Sequence, residues 1–165
     1  MRHIIAKSII LLGSAWLSTA ALAQSREQQI TACTSGDPNA LTEKIAACTA
    51  LIASGQESSE NLAVIMNNRG NGYDDQNDFA HAIADYDQSI RYNAQNPMAY
   101  MNRGLSYSYQ HDYSRAIADL NEAIRLNPQY AKAYLARGRT ERSLGKTAEG
   151  DADIARACAI DQRMC

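Results

Sequence analysis

The 165-residue sequence has no excess of basic charge: 16 Lys and Arg stand against 18 Asp and Glu, a net of −2. Without a coherent cationic face, binding to nucleic acid is excluded as a function. There is no Cys-x-x-Cys, and His81 and His111 lie far from any cysteine, so the spacing of a zinc site is missing. No apolar run approaches the roughly 20 residues of a membrane span. No serine sits in a nucleophile elbow. Gly70-Asn71-Gly72 is half of a phosphate-loop pattern, but it falls inside a helical pattern rather than after a strand. Asp74, Asp75, Asn77 and Asp78 lack the sharp-turn Gly and the distant bidentate Glu of a calcium loop. Neither catalysis nor a metal or cofactor is expected. What remains is binding.

The one compact apolar run, Ile9 to Trp16, follows the cationic start Met1-Arg2-His3 with Lys7 and precedes Ala21-Leu22-Ala23. A short core with a small-x-small cleavage pattern reads as a secretory signal peptide over residues 1–23, removed to leave no membrane-inserted segment. The expected location is the periplasm or the extracellular space. Its removal takes Arg2 and Lys7 but no acid, so the balance of 24–165 moves to −4. That charge is distributed unevenly: 24–96 has 4 basic and 10 acidic side chains, 97–165 has 10 and 8. All four cysteines, Cys33, Cys48, Cys158 and Cys165, lie in this part. An even number in an oxidising compartment implies disulfides, with three pairings open.

A period runs through the rest. Arg69-Gly70, Arg103-Gly104 and Arg137-Gly138 recur at equal spacing, each Arg three positions after Met66, Tyr100 or Tyr134. Further along come Ala82-Ile83-Ala84-Asp85-Tyr86, Ala116-Ile117-Ala118-Asp119-Leu120 and Gly150-Asp151-Ala152-Asp153-Ile154. A fixed period of roughly 34 residues means stacked helix pairs rather than one compact core. The pattern resembles the tetratricopeptide repeat, with a large residue, a Gly and an aromatic on one helix, then small residues and a large one on the next. The resemblance implies an all-α, right-handed superhelical solenoid of antiparallel helix pairs, about eight helices in the mature chain. Residues 24–61 then form a divergent leading hairpin, with helices from Arg26 to Thr34 and Asn39 to Ser54 and a polar spacer from Gln56 to Asn61. Three repeats occupy 63–96, 97–130 and 131–161, within 62–161, and 162–165 is a tail. The packing stripe falls at repeat positions 4, 8 and 11, with Glu141 in the place of Tyr73 and Tyr107. Asp78 and Asp112 are expected N-caps. Each Arg has an Asp sixteen positions on, which reads as an ion pair between helices and not as a binding site. In such an array the pairings Cys33 with Cys48 and Cys158 with Cys165 alone need no folding back.

The inner helices of such a superhelix line a groove. Positions 2, 5, 9 and 12, about 100° from the packing stripe, face it. The partner-binding candidates are Asn67 and Asn71, then Met98, Met101, Leu105 and Tyr109, then Lys132, Leu135, Arg139 and Arg142. They grade from amide and acid through an apolar centre to a basic end. Tetratricopeptide domains that clamp the C-terminal carboxylate of chaperone tails share Asn71, Asn102 and Lys132 with this sequence, but Asn67, Met101 and Ala136 replace the clamp's other cations. The resemblance implies a non-catalytic adaptor of the bacterial cell envelope. Its partner is another protein, whose peptide or helical segment, acidic at one end, lies in the groove. Alternatives are self-association through the open last helix, giving a homo-oligomer, or an enzyme or metal-dependent sensor using the Asp74–Asp78 turn and His81.

Overall fold

The computed structural model describes residues 25–165; the signal-peptide reading of residues 1–23 lies outside them. Among the described residues there are eight α-helices and no strands: α1 (25–34), α2 (Leu41–Ser54), α3 (Ser59–Asp75), α4 (Phe79–Tyr92), α5 (Pro97–Tyr109), α6 (Tyr113–Leu126), α7 (Ala131–Ser143) and α8 (Thr147–Ile160). Consecutive helices pack as antiparallel pairs. The inner helices α3, α5 and α7 also touch one another in sequence, which makes their side the concave one.

Local chemistry sets the boundaries. Asp78 Oδ1 accepts from the His81 amide at 3.2 Å, and Asp112 Oδ1 from the Arg115 amide at 3.1 Å, so both act as the expected caps. At the equivalent place before α8 stands Lys146, which offers no capping oxygen. The turn inside each repeat needs one left-handed residue. Asn77, His111 and Gly145 fill it, at φ of 60, 63 and 80°. The stretch expected as a polar spacer is partly helical, because Ser58 Oγ accepts from the Asn61 amide and starts α3 at Ser59. A cap won over composition there.

Within each pair the glycine admits the partner helix. A Cβ at Gly70 would lie 2.6 Å from Tyr86 Cε1. In α2, Cys48 occupies the position of Tyr86, and both are fully buried. It meets Cys33 of α1 with the Cα atoms 4.9 Å apart; Cys158 and Cys165 are 5.1 Å apart. Both separations fit a disulfide.

The arginines are the fold's ties. Each chelates the Asp of its own repeat and reaches back to the preceding outer helix. Arg69 Nε and Nη2 donate to Asp85 at 2.7 Å and Nη1 to Thr49 at 3.1 Å. Arg103 binds Asp119 in the same bidentate way and Asp87 at 2.6 Å. Arg137 binds Asp153 and, at 2.6 Å, Asn121. Although burial opposes the charge on Arg103, Asp119 and Asp87 outweigh it and hold the guanidinium above its usual range.

Glu141 marks where the third repeat departs from the pattern. Its Oε2 is buried without a hydrogen-bond partner among the described residues. Burial, then the charge of Asp153, raises its pKa. A carboxyl raised in the fold favours the folded state fully only below its unfolded value of about 4.3, and that contribution is lost as pH rises through the folded value. Glu141→Gln should therefore stabilise the protein at pH 7, by about 1 kcal/mol after allowance for partial exposure. The gain should vanish near pH 4, as urea midpoints at both pH values would report.

Candidate functional site

Positions 5 and 9 of one inner helix meet positions 6 and 10 of the next, and the residue types there set the chemistry of each seam. Between α3 and α5 the seam is polar. Asn102 Nδ2 donates to Asn67 Oδ1 at 3.1 Å and to Asn71 Oδ1 at 2.9 Å. The Tyr86 hydroxyl donates to Asn71 at 2.7 Å and to Asp74 at 2.8 Å, and Ser106 donates to Asp74 at 2.7 Å. Burial raises the pKa of Asp74, and burial together with Asp74 raises that of Tyr86. Asn67 is only 4% exposed. Asn67 and Asn71, expected to face a ligand, spend their side-chain oxygens on this network.

Between α5 and α7 three of the same positions, Met101, Leu105 and Ala136, are apolar and the fourth is Thr140, and a cleft lies beside this seam. Met101 is buried among Leu120, Ala123, Ala133 and Ala136, so it belongs chiefly to the inter-repeat core and only borders the groove. Leu105, Tyr109, Lys132, Leu135 and Arg139 come together around a cleft of about 610 Å³. Tyr109, 62% exposed, is braced by stacking on Phe79, with ring centroids 5.2 Å apart. Ser108 and Thr140 share a hydrogen bond of 3.1 Å in the floor.

Two expected groove residues lie elsewhere. Met98 is exposed but lines a neighbouring cleft with Tyr130, Ile160 and Met164. Arg142 turns away toward α8. Gly150, with no side chain of its own, leaves room for the aliphatic part of Arg142, and Asp151 draws its guanidinium to 3.6 Å.

Sequence reasoning missed His111, Tyr113 and Met164, which also line the main cleft. His111 arrives through its left-handed turn, its Nδ1 2.8 Å from the Tyr113 hydroxyl. Met164 had a signal: it stands one full repeat period after Tyr130. The turn it closes repeats, with Asn93, Asn127 and Asp161 each accepting from the amide two positions on, at 3.0, 3.1 and 3.0 Å.

Among the described residues no three side chains are grouped to hold a metal, and no helix is long and apolar enough to cross a membrane. His81 Nδ1 lies 2.7 Å from its own cap, Asp78. The exposed large apolar side chains, Ile30, Val64, Tyr92, Met98, Tyr109 and Leu144, include none from α8.

Comparison with known proteins agrees with this architecture. Two tetratricopeptide repeat family models match residues 67–107 and 97–130. The chain is a tetratricopeptide-repeat protein. Among solved structures it is similar to the first such domain of Spaghetti (RPAP3) bound to the HSP90 peptide SRMEEVD. The identity is 29% and the TM-score 0.61, over 62% of this chain and 82% of that one. The second domain of human RPAP3, in complex with the HSP70 peptide SGPTIEEVD, is 28% identical with a TM-score of 0.60, over 64% and 88%. The Arabidopsis OM64 domain shares the fold at 24% identity and a TM-score of 0.63, over 64% and 88%. No curated protein matches the sequence. Repeats of this family and neighbours that bind peptides mark the chain as a protein-interaction module.

Proposed function

We propose that this protein is a non-catalytic adaptor of the bacterial cell envelope, exported by its leader, that holds a segment of a partner protein in the α5–α7 cleft. One observation carries the reading. The cleft combines apolar walls from Leu105 and Leu135 with an exposed Tyr109 and two cations, at a size suited to a short peptide stretch. Tyr and Leu contacts supply affinity, and Lys132 and Arg139 set orientation. The peptide-bound neighbours support the choice of a polypeptide occupant. The close cysteine pairs support an oxidising location, in which the Cys33–Cys48 bridge closes the leading hairpin and Cys158–Cys165 pins the tail.

Photocross-linking tests the assignment. A benzophenone side chain placed at Tyr109 should capture a partner in envelope extract, whereas one at Ala152, exposed on the outer helix α8, should not. Equal capture from both positions, or from Ala152 alone, would remove the cleft as the binding site.

A further inference from the structure

The charges of the main cleft are unbalanced. Eight of the eleven arginines among the described residues hold a carboxylate, including exposed ones such as Arg125 and Arg163. Arg139 holds none among the described residues, and neither does Lys132. The charge of Lys132 acts on Asp161, which is engaged by Arg163 at 2.8 Å. No Asp or Glu lines the cleft itself. Other cations without a carboxylate, such as Arg91 and Arg156, lie outside the cleft, whereas Lys132 and Arg139 put two cations beside an apolar floor with no acid among its lining residues, a setting suited to an acidic ligand.

Their spacing narrows the ligand. Lys132 and Arg139 are seven positions apart on α7, nearly two full turns, so they stand on one face about 10.5 Å apart along the axis. A flat strand places same-side residues about 6.7 or 13 Å apart, and neither matches well. An extended segment of polyproline-II type places residues i and i+3 on one side, about 9.3 Å apart. A helix could match with residues i and i+7, but it is about 10–12 Å across. The Cα atoms of α5 and α7 come within 8 Å of each other, so a helix cannot settle between them, whereas a narrower extended segment can follow the cleft. The extended segment fits better, and the two residues between its acids would meet Leu105 and Leu135.

Resting on the peptide-holding reading above, we propose that the α5–α7 cleft selects an extended segment carrying two carboxylates three positions apart with apolar residues between them, paired to Lys132 and Arg139. The recognition is internal to the segment and needs no free C-terminus.

Blocked peptides, N-acetylated and C-amidated, test this by calorimetry on the full protein. Glu-Leu-Leu-Glu should bind most tightly. Gln-Leu-Leu-Gln should bind about tenfold more weakly, and Glu-Glu-Leu-Leu, of equal charge and composition, about threefold more weakly. Both preferences should disappear in the Lys132→Ala, Arg139→Ala double variant, whose two changes lie on exposed positions and should leave the helical spectrum intact. Binding of the Gln peptide as tightly as the Glu peptide would overturn the acidic specificity while leaving a peptide groove in place. Equal binding of the two Glu arrangements would overturn the spacing. Absence of binding by every peptide at millimolar concentration would also overturn the proposal; the cross-linking at Tyr109 judges the groove separately.

Discussion

Replacing Arg103 by Met should cost about 3 kcal/mol of stability. The guanidinium is 18% exposed and carries three charge-assisted bonds, two to Asp119 and one to Asp87. Its removal leaves Asp119, itself 8% exposed, as an uncompensated charge between α5 and α6. Met preserves much of the packing volume, so the loss reports the electrostatic part. Arg125→Met is the matched control. Its pair with Glu122 is 63% and 32% exposed and lies within one helix, so its loss should stay within about 0.5 kcal/mol. Urea unfolding followed by circular dichroism would separate the two. Because Arg103 joins the outer helices of two repeats, its variant should also unfold less cooperatively, with a lower slope against urea. Equal midpoints for the two variants would refute the bridging role.

Gly138→Ala should cost about 2 kcal/mol net, as overpacking outweighs helix preference. A Cβ there would sit 2.6 Å from the Gly150 carbonyl oxygen and 3.0 Å from Ile154 Cγ1. A backbone oxygen cannot rotate aside, so α7 and α8 must part, and the cost exceeds the gain of about 1 kcal/mol that Ala brings to a helix. Gly104→Ala meets Leu120 Cγ at 3.0 Å and the Ala116 oxygen at 3.1 Å, a milder crowding that the same helix preference should nearly offset. The melting temperature of the Gly138 variant should fall by about 5 °C while that of the Gly104 variant moves little. A common shift for both would mean that the two helix pairs approach equally closely.

The repeat skeleton was legible because its determinants are periodic. Arg-Gly at a constant interval, the Asp sixteen positions after each Arg, and the capping Asp78 and Asp112 each recur with a fixed physical task. The groove was only partly legible. Helix geometry assigns an angle to a side chain but not the partner it finds at that angle. Asn67 and Asn71 had the right direction, yet Asn102 and Tyr86 took their side-chain oxygens. Met101 had the right direction too, but Ala133 and Ala136 are small enough to let it sink into the seam. Arg142 was redirected by an absence, the missing side chain of Gly150. His111 was hidden for a different reason: a left-handed turn, a backbone property that residue type signals weakly for His, brings it to the cleft.

The three arginine ties join α2 to α4, α4 to α6 and α6 to α8, always along the outer row. They work like the pins of a hinged spine. With that edge held at constant length, any flexing of the array pivots about it, and displacement grows with distance from the pins. Leu105 and Leu135 lie on the opposite edge, so a change in the curvature of the array is felt most at the cleft they line.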